Sequence, residues 1–275
     1  MSKLIGNIQL VTEQGRDLTS LRAINELEVV EKERIYTTII PPRLFEFLGI
    51  SPVTLCGSDG LRRVSIIAPQ GMGLARIEVR RHPDDPHTVF FLDIADTHYR
   101  QMDLSFCIIS DPSSERYNVD VDRYGNDNCF TTLGRNIPEE LRAMRAGLFP
   151  NQAIRGLRMF GEFFVLFERF VDSLAMDMIV AEPLTYDNAI RYEKYGFDYL
   201  NGRRLMEEID REFAPHGSLT ARLDDSTPFR MPGMEKSVHG RSWAIHDGIM
   251  DEPWEDVRIY KLVGVDAGVN TFTER

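Results

Sequence analysis

Apolar positions recur along this chain in more than one rhythm. Over residues 18–33, Leu21, Ile24, Leu27 and Val30 return every three residues with charges between them, which predicts an amphipathic helix. Residues 36–40 read as a short strand stopped by Pro41-Pro42, and residues 43–48 as one or two further helical turns. The rhythm then shortens. Residues 63–68 read as a strand, Pro69 to Gly73 as a turn, and residues 74–81 alternate, with Ala75, Ile77 and Val79 on one face and Arg76, Glu78 and Arg80 on the other. Residues 82–87 hold two prolines and two acids and read as a loop. Residues 89–95 and 102–109 give two more strands, the first nearly all apolar, as expected of a strand covered on both faces. Residues 117–121 are a further strand candidate, and residues 122–136 are polar loop.

The second half returns to the helical period. Residues 138–146 start on a proline, a residue suited to a first helical turn, and residues 151–174 read as one long helix. Residues 178–181 are a short buried strand. Residues 186–195 form a helix that stops at Gly196, a residue free to take the left-handed conformation of a helix end. Residues 202–213 are a charged amphipathic helix, residues 216–240 a long Pro/Gly/Ser-rich surface excursion, and residues 256–263 a last strand. Helix, antiparallel strands, helix–strand–helix and a final strand together predict an α+β fold, a mixed sheet with helices on both faces. A single domain over residues 1–275, with a C-terminal extension from about residue 214, is expected.

Composition narrows the function. With 43% of 275 residues hydrophobic, the chain can build a sizeable core. The net charge of −11 repels phosphate backbones, so a nucleic-acid partner is not expected, whereas amines are easier to attract. Residues 160–175 are apolar but interrupted by Glu162, Glu168, Arg169 and Asp172, so a membrane span is not expected either. The first twelve residues lack the apolar core of a signal peptide, which makes the cytoplasm the default location.

Three widely spaced cysteines, Cys56, Cys107 and Cys129, suggest neither a disulfide framework nor a zinc cluster. Cys107 reads as a buried small hydrophobe. Asp120, Asp122 and Gly125 have part of a calcium-loop spacing, but Thr131 stands where a bidentate glutamate is required. His239 and His246 flank Trp243 beside Asp247. No third ligand accompanies them, so lining an acceptor pocket is the better reading, and no metal is expected.

One segment carries chemistry. Asn188-Ala-Ile-Arg-Tyr192-Glu-Lys-Tyr-Gly196-Phe197 resembles the N-x-x-A-I-x-x-Y-E-K-x-G-F segment of the GNAT (GCN5-related N-acetyltransferase) superfamily, one or two residues short before the tyrosine. The helix over 151–174, the strand over 178–181 and the Tyr192 helix would be that family's third helix, fifth strand and fourth helix. The upstream meander would supply strands two to four.

The resemblance implies a GNAT-like, mostly antiparallel sheet. It also implies an N-acyltransferase moving an acetyl or other acyl group from acetyl-CoA or another acyl-CoA to a small-molecule or protein amine. Tyr192 would protonate the leaving thiolate, and Asn188 would belong to the cofactor site. The family cradles the pyrophosphate at the start of its third helix. Gln152, Arg155, Gly156 and Arg158 are the counterparts here, with one glycine where the family has two, and Arg142 and Arg145 lie just upstream. Backbone N–H groups of a splayed fourth strand would hold the oxyanion, and Asp93, Asp96 or Asp103 would accept the ammonium proton. Two alternatives stand beside this: a non-catalytic coenzyme-A-binding or regulatory protein on the same scaffold, and a different enzyme using residues 216–246. The acceptor and oligomeric state stay open, with a homodimer among the options.

Overall fold

Residues 18–33, expected as one helix, form two. A computed structural model of the chain describes residues 9–12, 15–97, 99–122, 124–128 and 134–273. In it α1 (Leu21–Asn25) starts at Ser20, whose hydroxyl accepts the Ala23 N–H, and α2 (Val29–Thr37) follows after a turn. The break has a cause outside the segment. The Asn25 amide donates to the Met72 and Leu74 carbonyls, which ties the end of α1 to the hairpin turn before the second strand. The strand expected over 36–40 is absent. Tyr36 lies inside α2, and its hydroxyl donates to Asn25 Oδ1 at 2.6 Å. α3 (Pro42–Leu48) matches expectation and ends at Gly49, in the left-handed region.

The strands β1 (Val64–Ile67), β2 (Leu74–Val79), β3 (Phe90–Asp96) and β4 (Gln101–Ile109) form the antiparallel meander that the alternation predicts. Ala75, Ile77 and Val79 are the buried face of β2. β3 buries Phe90, Leu92 and Ile94 and half-buries its other face. β5 (Met178–Ala181) pairs parallel with β4, and β6 (Asp198–Asn201), not anticipated, pairs antiparallel with β7 (Arg258–Leu262). The described strands make a seven-stranded mixed sheet in the order β1-β2-β3-β4-β5-β7-β6, an α+β architecture. The strand expected over 117–121 is reduced to isolated bridges, Arg116 with Ile154 and Val121 with Asp127.

The described residues divide into two compact units. The first holds Met1–Pro112, Gly156–Ala181 and Lys261–Val265. Its core includes α5 (Phe160–Ser173), which begins nine residues later than the helix expected from residue 151. Phe163, Phe164, Phe167, Phe170 and Val171 fall on one side of α5 at helical spacing and are all buried. Phe163 meets Phe90 of β3 edge-on at 5.8 Å. Lys261, only 6% exposed at its side chain, pairs with Glu168 of α5 at 3.2 Å.

The second unit holds Ser113–Arg155, Glu182–Tyr260 and Asp266–Arg275. It contains α4 (Ile137–Arg145), α6 (Tyr186–Glu193), α7 (Arg203–Glu212), α8 (Ser218–Ala221) and α9 (Val238–His246). The excursion expected over 216–240 is largely packed structure. Leu219, Leu223 and Phe229 are buried, and Ser237 caps α9 through the Gly240 N–H. Trp243 of α9, fully buried, stacks on Phe229 at 5.3 Å and donates its indole N–H to the Leu148 carbonyl. No described helix is long and apolar enough to cross a membrane.

Candidate functional site

In the first unit, β4 and β5 pair only where Gln101, Met102 and Asp103 meet Met178, Ile179 and Val180. β4 then runs on to Ile109 with no β5 partner, because β5 ends at Ala181. Opposite β3, the register slips so that Asp93 faces Phe106 while Ile94 faces Leu104. Ser105 is therefore the extra residue of a β-bulge, a device that re-aims the backbone where a ladder ends. The far end of the opening is bounded by the chain entering α5. Ser110 bridges to Gly156, and Leu157 N–H donates to the Ile109 carbonyl at 3.3 Å. Gly156 suits this approach, since a Cβ there would sit 3.2 Å from that same carbonyl oxygen. The result is a fork: from Leu104 to Ile108 β4 runs on past the end of its ladder with β5, bounded at one end by that ladder and at the other by residues 156–157.

Above the fork α5 begins. Its N-cap, Met159, makes no side-chain capping bond. Arg158, just before it, is exposed, has φ 57°, and makes no side-chain hydrogen bond or ion pair among the described residues. Glu162 in the first turn accepts the Arg43 N–H and pairs with the Arg43 guanidinium at 3.8 Å.

Three carboxylates were candidates for the proton acceptor. Asp93 is held by both Nε and Nη2 of Arg76 at 2.7 Å, and that guanidinium lies over the Phe91 ring. Asp96 accepts the Leu21 and Arg22 N–H groups that open α1, and burial raises its pKa above the ordinary carboxylate value despite those bonds. Asp103 is the one on β4 itself, at the last paired position of the fork, and accepts a hydrogen bond from the Ser105 hydroxyl at 3.2 Å.

In the second unit, Asn188 and Tyr192 share one face of α6, one turn apart, and both are half-buried. The turn after α6 closes on Tyr192: Tyr195 and Phe197 N–H groups donate to its carbonyl, and the Phe197 ring meets the Tyr192 ring at 4.9 Å. Gly196, at φ 82°, makes that turn, as the sequence implied. Glu193 is buried, at 5% exposure, and its carboxylate is taken up by Tyr199 and Thr271.

Compared with family models, curated proteins and solved structures, this chain has no match. The candidate residues thus stand on their own geometry.

That geometry separates the basic segment from a helix start. Gln152 and Arg155 lie in extended chain of the second unit. The Gln152 amide accepts from Phe149 N–H and donates to the Ile154 carbonyl, while Arg155 donates to the Ala146 carbonyl. Gly156 and Arg158 belong to the first unit and are the two that stand next to α5. Arg142 is engaged with Glu139 and Glu115.

His239 and Trp243 both meet the Leu148 carbonyl, at 2.8 and 2.9 Å, and Trp243 is fully buried. His246 faces Glu140 at 3.4 Å. Glu140 is gripped by Arg135, which also reaches Asp247, and Asp247 is shared with Arg230 and Thr227. Sequence reasoning missed this buried network, since its members read as ordinary surface charges. The only hint was that Asp247 and His246 adjoin a tryptophan. Among the described residues no group of three or more side chains is placed to hold a metal ion. Cys56 and Cys107 are half-buried, while Cys129 and Thr131 lie outside the described residues.

Proposed function

We propose that this chain is an acyl-CoA-dependent N-acyltransferase built on a GNAT-like scaffold. The observation that carries the reading is the fork between β4 and β5. It follows the meander and is succeeded in the chain by the long helix α5, the short strand β5 and the Tyr192 helix α6, in the succession that the Asn188–Phe197 resemblance implies.

In this reading the thioester carbonyl lies against the backbone of β4 beyond its ladder with β5. N–H groups there, fixed by the bulge at Ser105, would take the negative charge that develops as the amine attacks. Asp103 is the favoured acceptor of the ammonium proton, because it lies on β4 itself at the last position paired with β5. The first turn of α5, with Arg158 beside it, is the favoured place for pyrophosphate. Tyr192, on α6 of the second unit, is the proton donor to the leaving thiolate that the resemblance implies.

Two measurements test the reading. Calorimetric titration with acetyl-CoA and longer acyl-CoAs should give a saturable heat, and thiol release in the presence of an amine panel should follow. Tyr192→Phe keeps the ring that packs on Phe197 and removes only the proton donor, so it should lower kcat by about 10²-fold or more. Absence of heat with every acyl-CoA would end the proposal. One observation favours a second reading, a non-catalytic coenzyme-A-binding or regulatory protein. Glu162 places a negative charge in the first turn of α5, against a phosphate. That reading expects a closed or re-lined pyrophosphate site, no thiol release and a silent Tyr192→Phe variant.

A further inference from the structure

The tail after β7 returns to the end of α6. Within the second unit, Ala267 N–H donates to the Gly196 carbonyl at 3.2 Å, beside the turn that closes on Tyr192. Four residues on, Thr271 donates twice to Glu193, the residue after Tyr192: its N–H to Oε2 at 2.9 Å and its hydroxyl to Oε1 at 2.6 Å. The Tyr199 hydroxyl donates to the same Oε1 at 2.5 Å. Glu193 and Thr271 are 5% and 6% exposed, so this carboxylate has its charge dispersed over three donors rather than over water. Burial, and then the Glu193 charge, push the Tyr199 pKa far above its ordinary value and keep its proton in place as a donor.

The tail is pinned again beyond Thr271. The Phe272 ring lies under the Arg241 guanidinium at 4.6 Å. That guanidinium is 1% exposed and pairs with Asp210, which also accepts the Thr273 N–H at 3.2 Å. Two carboxylates on two helices, the buried Glu193 and the half-buried Asp210, thus each receive a backbone N–H of the tail. An extended segment with no regular structure of its own would not keep this course without them.

We propose that Glu193 is a positioning residue and that residues 266–273 are a strap fastened to it, which fixes the turn presenting the Tyr192 hydroxyl. Its catalytic consequence rests on the acyltransferase reading above; the fastening itself does not. The physical reason is leverage. Glu193 is the last residue of α6 and Tyr192 the one before it, so the last turn keeps its place only while the carboxylate stays in its donor set. Release of Thr271 would strand a buried charge, which favours fraying of that turn over retention of the packed state.

Thr271→Val tests the strap, with Thr271→Ser as the variant that keeps the hydroxyl. Hydrogen exchange read by mass spectrometry should show amides 192–197 opening roughly ten-fold faster in Thr271→Val, while α4 and α9 stay unchanged and Thr271→Ser stays near wild type. Uniform acceleration across the chain, or none at 192–197, overturns the proposal. In turnover, Thr271→Val and Glu193→Gln should lower kcat with the KM for acyl-CoA unmoved, and Thr271→Ser should restore it. Equal loss in kcat and a rise in KM overturns the positioning role. If wild type releases no thiol from any acyl-CoA, the acyltransferase reading fails, and the exchange experiment alone decides the strap.

Discussion

Asn25→Ala should destabilise the first unit by about 3–5 kcal/mol, a large effect for a residue with no charge. Asn25 is 1% exposed and uses three hydrogen bonds: two from its amide to the Met72 and Leu74 carbonyls, at 2.7 and 2.8 Å, and one accepted from the Tyr36 hydroxyl at 2.6 Å. A net hydrogen bond is worth about 1 kcal/mol, which gives about 3 for the set. The Tyr36 side chain is fully buried, so losing the Asn25 acceptor adds a desolvated hydroxyl at about 1–2 kcal/mol more. Against a typical domain stability of about 5–15 kcal/mol this is close to unfolding. Urea denaturation followed by far-ultraviolet circular dichroism gives the number, provided the slope stays that of wild type. Tyr36→Phe in the Asn25→Ala background should cost about 1 kcal/mol less than in wild type, because the orphaned hydroxyl is gone. A loss below about 1 kcal/mol for Asn25→Ala, or strictly additive single variants, would refute the argument that this triangle holds α1 and α2 to the hairpin.

Two further outcomes are expected. Gly240→Ala sets helix propensity, which favours alanine by about 1 kcal/mol, against packing, because a Cβ would lie 2.4 Å from the Met234 carbonyl oxygen and 2.7 Å from its Cα. Backbone cannot swing aside, so packing should win by about 1–3 kcal/mol and calorimetry should show a lower Tm; an unchanged or higher Tm would mean the contact yields. Acid should weaken the Glu140 network. Burial raises the Glu140 pKa, but hydrogen bonds from His246 and Arg135 outweigh it, and the folded value sits below the ordinary 4.5. A depressed folded pKa contributes stability that is present above the unfolded value and is lost as pH falls through the folded one. Wild-type Tm should therefore drop more steeply below about pH 4.5 than that of Glu140→Gln, and parallel curves would count against the network.

The meander was legible because its residues alternate. Ala75, Ile77 and Val79 announce β2 whatever surrounds them, and Gly196 announces the end of α6 because a left-handed turn follows there. The same local logic found the apolar stripe of α5 but misplaced its start. Residues 151–159 have helix-compatible composition, and bonds to distant strands, among them the bridges from Arg116 to Ile154 and from Ser110 to Gly156, draw them out of a helix. Tyr36 reads as strand by its β-branched neighbours and sits in a helix because Asn25 accepts its hydroxyl. α9 was hidden among prolines and glycines, since what stabilises it is the fit of Trp243 on Phe229 and the Leu148 carbonyl.

For the candidate site the division is sharper. The sequence by itself determined the elements that surround the fork and the position of Tyr192 at the end of a helix, because periodicity and punctuation are properties of neighbours in the chain. Only the tertiary structure decided which carboxylates are committed, that β4 outruns β5, and that Glu193 meets Thr271. Those depend on which distant groups become partners, and a buried glutamate with three donors has the same letters around it as one in water.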